Sequence, residues 1–208
     1  MSKLEQLGPY QMEQRPGVFP LGSDALALGR FATVRKGWRV CDLGTGSGVL
    51  LLLLAAREPQ LELFGLDQDP TAAALAQDNL GRNGLEGQIW TGSWSQAPFS
   101  PGSFDLVVSN PPYYAPGSGK DGGPARMERE ELDTLCRAAS RLLRNGGRFA
   151  LSFPTQRMAD LLEVMRRWDL EPKRLKLLSH TLTKPPYALL VEGVRQGKPG
   201  LQVLPCLE

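Results

Sequence analysis

The segment Gly44-Thr45-Gly46-Ser47-Gly48 constrains this chain more than any other, because it separates a short strand-like run, 40–43, from the longest apolar run, 49–56. Glycines at alternate positions allow the backbone conformations that a tight strand-to-helix connection needs, and they leave the main chain bare enough for a ligand to approach. The first N–H groups of the following helix point at the same place. The run 49–56 reads as a helix continuing to about residue 58, which Pro59 follows. Strand, glycine turn and helix in that order open a parallel sheet covered by helices.

The alternation continues along the chain. Residues 61–66 read as a second strand, and Asp69-Pro70-Thr71 has the cap-then-proline signature that starts a helix reaching to about residue 82. Runs 88–91 and 104–109 are the third and fourth strands. Apolar spacing at Leu132, Leu135, Cys136, Ala139, Leu142 and Leu143 predicts an amphipathic helix, which Asn145-Gly146-Gly147 ends before a fifth strand over 148–153. A helix over 156–168 follows. The runs 174–178 and 187–194 have no helical segment between them, so they are expected to pair antiparallel at the sheet edge. The predicted fold is α/β, a doubly wound, Rossmann-like, seven-stranded and mostly parallel sheet with an antiparallel edge strand. With 41% of 208 residues hydrophobic there is enough material for one substantial core. The expectation is a single domain over 1–208, with an arm at 1–37 that contributes to the pocket, a core over 38–194 and a tail over 195–208.

Several function classes drop out on composition. The apolar runs are far short of a membrane span, and the first residues lack the pattern of a signal peptide, so a cytoplasmic protein without a membrane partner is expected. Cys41, Cys136 and Cys206 are unclustered and read as buried thiols. His180 is the single histidine, which leaves no His-based metal site and no Ser-His-Asp triad. The net charge of +2 is small, but residues 157–198 carry nine Lys+Arg against five Asp+Glu. That segment is either a solvated surface or a face for a polyanion.

The fourth strand leads into Asn110-Pro111-Pro112-Tyr113, at the carboxyl end where open α/β sheets bind ligands. Two prolines fix φ and supply no N–H, so the corner cannot extend a ladder and its carbonyls stay free. An amide, a free carbonyl and an aromatic ring together suit the gripping of a planar amino group; alternatively the tetrapeptide is a loop terminator with an Asn cap. The Gly- and Pro-rich stretch 114–126 after it is either a lid or a plain connection, and 14–25 is either a packing arm or a pocket wall.

Asp67 closes the second strand where doubly wound sheets place the carboxylate that accepts from a ribose diol, with Gln68 beside it. The turn and this acid imply an adenosine-type ligand, and both NAD and S-adenosylmethionine qualify. Three features favour S-adenosylmethionine. The turn departs from the spacing of the pyrophosphate fingerprint. Asp42 can accept from the ammonium of a methionine moiety. The Asn110 corner lies on the same edge as the turn. The cofactor contacts are therefore assigned to Asp42, Gly44, Thr45, Gly46, Gly48, Asp67, Gln68, Ser93, Trp94 and Asn110, with no metal.

Asp42 to Gly48, the Asp67 strand end and Asn110 to Tyr113 resemble the class I S-adenosylmethionine-dependent methyltransferases that act on amino groups. Phe19-Pro20-Leu21-Gly22-Ser23-Asp24-Ala25, the tetrapeptide, and the tail from Leu170-Glu171-Pro172-Lys173-Arg174-Leu175 through Gly197-Lys198-Pro199-Gly200-Leu201 look like the bacterial tRNA (adenine-N6)-methyltransferase family acting on adenine 37 of valine tRNA. The resemblance covers nearly the whole chain. It implies transfer of a methyl group to the exocyclic amine of an adenine, with S-adenosylhomocysteine as product and tRNA as partner. Two positions depart from the family: Gly92-Ser93-Trp94 stands where an acid usually faces the cofactor adenine, and Ala125-Arg126-Met127-Glu128 stands where a histidine is often found.

On this reading Asn110, Pro111, Pro112 and Tyr113 carry the chemistry. Asn110 and Pro111 orient the amine through their carbonyls, and Tyr113 stacks on the base. Ser23, Asp24, Tyr113, Lys173, Arg174 and Lys176 are assigned to the acceptor, the basic residues to its phosphates. Competing readings are a protein glutamine, rRNA or DNA base as acceptor, a non-catalytic S-adenosylmethionine- or RNA-binding module, and a nicotinamide dehydrogenase. A release-factor glutamine methyltransferase usually adds an N-terminal helical domain, for which the roughly 37 residues before the first core strand are few. Oligomeric state is not legible.

Overall fold

A computed structural model describes residues 2–111, 124–181 and 183–205, with 124–130 described by their backbone alone. The described residues form ten strands and five helices besides two short 3-10 turns, and their frame is one twisted sheet between two helical layers. The chain opens with a hairpin of β1 (Lys3–Leu7) and β2 (Tyr10–Gln14), then α1 (Ser23–Phe31). The sheet is built from β3 (Arg39–Leu43), β4 (Glu62–Asp67), β5 (Gly87–Thr91), β6 (Phe104–Ser109), β7 (Leu143–Pro154), β8 (Leu170–Leu178), β9 (Ala188–Arg195) and β10 (Gln202–Leu204). Between them run α2 (Val49–Arg57), α3 (Pro70–Arg82), α4 (Pro124–Leu142) and α5 (Met158–Arg167).

The order across the sheet is β10-β8-β9-β7-β6-β3-β4-β5. Only β9 runs against the others: it pairs antiparallel with β7 and with β8, while β10 lies parallel to β8. From β3 the chain steps outward through β4 and β5, then crosses back to β6 and β7 on the other side. The order therefore reverses between β3 and β6, which opens a crevice at their carboxyl ends. The doubly wound α/β fold is as expected, and the sheet carries one strand more than predicted because residues 202–204 of the tail add to β8.

Two cores flank the sheet. One face packs α4 and α5 on Val107, Phe149, Leu151 and Val191; the other packs α1, α2 and the hairpin on Val40, Leu106, Val108 and Ala150. Residues from Leu106 to Val108 are all buried, which is why β6 reads as a continuous apolar run and not as an alternation. Among the expected elements, α4 starts earlier than its apolar spacing indicated, at Pro124, so Ala125 to Glu128 lie within its first turns. Of the proposed lid over 114–126, residues 114–123 lie outside the described residues, as do Pro112, Tyr113 and Cys206.

No helix among the described residues is long and apolar enough to cross a membrane.

Candidate functional site

The glycine turn leaves β3 and the Asn110 corner leaves β6, and these are neighbouring parallel strands in register, Asp42 beside Val108. Continuing that register sets Gly44 beside Asn110, about one strand spacing, roughly 5 Å, away. Ser109, fully buried, ties the two ends: its Oγ donates to the Leu43 carbonyl at 2.7 Å. Asn110 and Pro111 are half-buried at the mouth of this crevice.

The turn itself is held from both sides. The N–H groups of Gly44 and Thr45 donate to the Leu66 carbonyl at 2.8 and 3.0 Å, fastening it to the end of β4. Gly46 has φ 55° and its N–H donates to Asp67 Oδ2 at 2.8 Å, while a Cβ placed on it would meet nothing within 4 Å. Open space over a left-handed residue is the cradle that a ligand against the backbone requires. Gly48, the last glycine of the turn, also has a packing role. It caps α2 at φ 81°, and a Cβ there would stand 3.3 Å from Cα and Cβ of Ala76, so it lets α3 pack against the turn.

Asp42 is the most telling side chain. Its Oδ2 accepts from Thr45 Oγ1 at 2.9 Å, but Oδ1 is buried with no hydrogen-bond partner among the described residues. Burial pushes its carboxyl up to about 7, the Thr45 hydroxyl draws it down, and the nearby Asp67 charge adds to the rise. A buried acceptor is costly unless something donates to it. An ammonium group meets that demand with both charge and protons, so the donor set fits an amino-acid-bearing nucleoside better than a dinucleotide. Asp67 accepts from Gly46 and, through Oδ1, from the Asp69 N–H at 3.0 Å, which leaves each oxygen further acceptor capacity for hydroxyl groups. Gln68 beside it is exposed.

At the end of β5, the Gly92 N–H donates to the Asp67 carbonyl at 2.8 Å, drawing the next residues toward the crevice. Ser93 caps the 3-10 turn Trp94–Gln96 and shares a 3.0 Å hydrogen bond with Ser95 Oγ, so its hydroxyl is engaged locally. Trp94 is half-buried, and its ring edge would be 3.6 Å from a Cβ on Gly44. An indole thus walls the crevice next to the missing acid.

Sequence reasoning missed the support beneath the turn. Asn79 of α3 is fully buried; its Oδ1 accepts from the Glu13 N–H at 2.8 Å, and its Nδ2 donates to the Glu13 carbonyl at 3.0 Å and to the Ser47 carbonyl at 2.9 Å. Asn83, one helical turn on, makes the same two-way pair with Gln11, at 2.8 and 2.7 Å. The two amides imitate the next strand of the hairpin and dock it on α3. Ser47 Oγ also approaches Met12 Sδ at 3.4 Å. An Asn among Ala72, Ala73, Leu75, Ala76 and Leu80, on the buried side of an otherwise apolar stripe, was the available signal.

The acceptor residues divide. Ser23 opens α1 and its Oγ lies 3.1 Å from Tyr187 Oη, at the sheet's ligand edge, with Asp24 in the same first turn. Lys173 lies five residues before the end of β8, roughly 16 Å from that edge, and its Nζ donates to the Lys198 carbonyl at 3.0 Å. Arg174 departs from the expectation of a phosphate contact. Its Nη1 donates to Glu192 Oε1, Thr33 Oγ1 and the Phe31 carbonyl, and its guanidinium stacks 4.6 Å over the Phe31 ring. Glu192, fully buried on the adjacent strand, demands that partner. Lys176 is half-buried on the same strand, closer to the edge. Cys41 and Cys136 are buried and free, and burial raises both thiols. Among the described residues there is no group of three or more His, Cys, Asp or Glu that could hold a metal.

The family model described as methyltransferase small domain matches residues 10–167. The tRNA1(Val) (adenine(37)-N6)-methyltransferase of Parabacteroides distasonis is 30% identical over 179 residues, spanning 83% of this chain and 75% of that protein. The protein of the same name from Porphyromonas gingivalis is 31% identical over 197 residues, spanning 88% and 77%. Among solved structures, the chain is similar to a predicted O-methyltransferase, Atu636, of Agrobacterium tumefaciens, with TM-score 0.72 and 19% identity over 88% of this chain and 86% of that one. It is also similar to the T. thermophilus 16S rRNA N2 G1207 methyltransferase in complex with AdoMet and guanosine, with TM-score 0.68 and 21% identity over 94% of this chain and 50% of that one.

Proposed function

Since the chain belongs to the methyltransferase small domain family and to the family of the tRNA1(Val) (adenine(37)-N6)-methyltransferases, we propose that it methylates the exocyclic amine of an adenine in tRNA, using S-adenosylmethionine. The observation that carries this reading is the adjacency of β3 and β6, which sets the Asp42–Gly48 turn and Asn110 on neighbouring strand ends. Such a pair of stations is what group transfer between two bound molecules needs.

When bound, the donor supplies an electrophilic methyl group on a sulfonium. Asp42 Oδ1 accepts from its ammonium, the remaining acceptor capacity of Asp67 takes the ribose hydroxyls, and Trp94 covers an apolar side of the same crevice. Asn110 and Pro111 accept from the acceptor amine through their carbonyls. The lone pair of an adenine amine is delocalised into the ring, so these contacts orient the nitrogen and stabilise positive charge as it develops. Tyr113 supplies a face for the extruded base. The methylated ammonium is strongly acidic and loses its proton without a dedicated base, so the lack of a histidine at Met127 removes nothing the reaction requires. Residues 1–37 and 195–208 belong to the same unit, a reading supported by the Asn79 and Asn83 pairs and by β10 on β8. Phosphate contacts are assigned to Lys173, Lys176 and, as far as its hold on Glu192 allows, Arg174, and binding of tRNA weakens as salt is added.

The test is incubation of the protein with methyl-labelled S-adenosylmethionine and, separately, unmodified tRNA, rRNA, DNA and protein, followed by nucleoside and peptide mass spectrometry. N6-methyladenosine in tRNA alone is the expected product. Label in glutamine or in another nucleic acid instead would reassign the acceptor, and no transfer to any of them would remove the activity.

A further inference from the structure

The connection between β8 and β9 lies on the same edge of the sheet as the glycine turn, because Leu178 and Ala188 pair with each other and Ala188 faces Pro154 at the end of β7. It is fastened at its base. The Tyr187 N–H donates to the Leu178 carbonyl at 2.9 Å, and Thr155 Oγ1 donates to the Pro186 carbonyl at 2.7 Å. On this base the rings of His180 and Tyr187 stack in parallel, with centroids 4.3 Å apart and planes 10° from each other. The phenol oxygen is 3.1 Å from Ser23 Oγ, which ties the pair to the start of α1. Tyr187 is half-buried and His180 is exposed.

Neither core cluster includes either ring. The stack is therefore a surface feature with the imidazole as its outer layer. Of the basic residues in this part of the chain, Lys173 and Arg174 lie deeper along β8, with Arg174 paired to Glu192, while Lys176 and Lys184 are the cations closest in sequence to the rings, and they favour a polyanion there. From β6 to β9, which Tyr187 precedes, is two strand spacings, roughly 10 Å, and to β8, which His180 follows, three, roughly 14 Å, so the pair stands within reach of a nucleotide next to one held at Asn110. Prestacked rings suit a nucleobase, whose π-face continues the stack whatever its identity.

We propose that His180, backed by Tyr187, is a stacking platform for a base that neighbours the acceptor adenine in the RNA strand. The inference rests on the reading of the acceptor as RNA. Tyr187 is the positioning residue, because its ring holds the imidazole flat and its hydroxyl fixes the ring against Ser23.

The experiment uses a stem-loop RNA copied around adenine 37 of valine tRNA with 2-aminopurine next to that adenine. Binding to the full chain is expected to quench its fluorescence. His180→Ala, at an exposed position, is expected to abolish most of the quenching, weaken RNA binding by about tenfold, the scale of one lost base stack, and raise KM for tRNA with kcat and S-adenosylmethionine affinity within twofold. His180→Trp is expected to restore both quenching and KM. Unchanged quenching and affinity in His180→Ala, in a protein that still methylates tRNA, would overturn the platform alone. Failure of the unsubstituted protein to bind or methylate this RNA would overturn the platform together with the RNA reading.

Discussion

Ser109 Oγ donates to the carbonyl of Leu43 at 2.7 Å, so the strand end that bears the Asn110 corner is bolted to the strand end that bears the glycine turn. The bond is wholly buried, beyond the last ladder pairing between these strands, Asp42 with Val108. It keeps two loops of different function at one spacing. Replacement of Ser109 by Ala removes the donor and leaves the Leu43 carbonyl short of a partner. A loss of about 1 kcal/mol is expected by urea denaturation, with slower methyl transfer. Unaltered stability would show that the bond does no fastening.

Asp42 sets a pH dependence. Its folded pKa, pushed up to about 7 by burial, stands above the ordinary value of 3.8, so the folded protein holds this proton more tightly than the unfolded chain. Its effect on stability is therefore a loss as pH rises from about 4 to about 7, level above that. Asp42→Asn should be relatively more stable than the parent at pH 8 than at pH 5. Binding of a cationic group at Oδ1 works the other way, since it needs the ionised form. Affinity for S-adenosylmethionine by calorimetry should fall below pH 7 by up to about tenfold per unit, and Asp42→Asn should bind weakly without that slope. A flat profile in the parent protein would contradict the role.

Asn79 gives a comparison within one helix. Asn79→Ala strands the Glu13 N–H and the Ser47 carbonyl in the interior, whereas Asn83→Ala disturbs a pair that is exposed. Leaving buried groups unsatisfied costs about 1–3 kcal/mol. The first substitution should lower the unfolding free energy by that amount and weaken donor binding as well. The second should do less of the former and none of the latter. Equal effects of the two on donor affinity would mean that the hairpin, and not the hold on Ser47, governs the turn.

Glu192 is fully buried and accepts from the Thr33 N–H at 2.8 Å, Thr33 Oγ1 at 2.9 Å, Arg148 at 2.7 Å and Arg174 at 3.3 Å. Glu192→Ala leaves two arginines without their shared anion. A loss of about 3 kcal/mol is expected, read by chemical denaturation, with donor affinity retained. A change below about 1 kcal/mol would show that the arginines find water as readily.

What could be read from the sequence followed from where burial leaves its mark. Residues 104–109 are apolar because β6 is covered on both faces, and Asp69-Pro70-Thr71 announces α3 because Asp69 caps it, accepting from the Thr71 N–H at 2.8 Å. The hairpin left no comparable mark: Leu4 is 56% exposed, and its docking depends on amides sixty or more residues away. Strand β10 is three residues long with Val203 64% exposed, so it has neither length nor pattern. Arg174 read as surface charge because its partner Glu192 sits across a strand pairing that composition cannot reveal. Asp42, the turn and the Asn110 strand end were legible because the chemistry of a strand-end crevice restricts residue type locally. Ser109, a single hydroxyl at the end of an apolar run, was not.

The most direct test of the shared crevice is Asn110→Ala, measured for S-adenosylmethionine affinity by calorimetry and for methyl transfer to tRNA in a single turnover. Donor affinity is expected to stay within about twofold, because Asp42, Asp67 and the turn keep most of the assigned cofactor contacts and Asn110 contributes only one, while the transfer rate falls by about 100-fold or more, the scale of a lost charge-stabilising contact. A normal single-turnover rate would contradict the assignment of the amine to this corner.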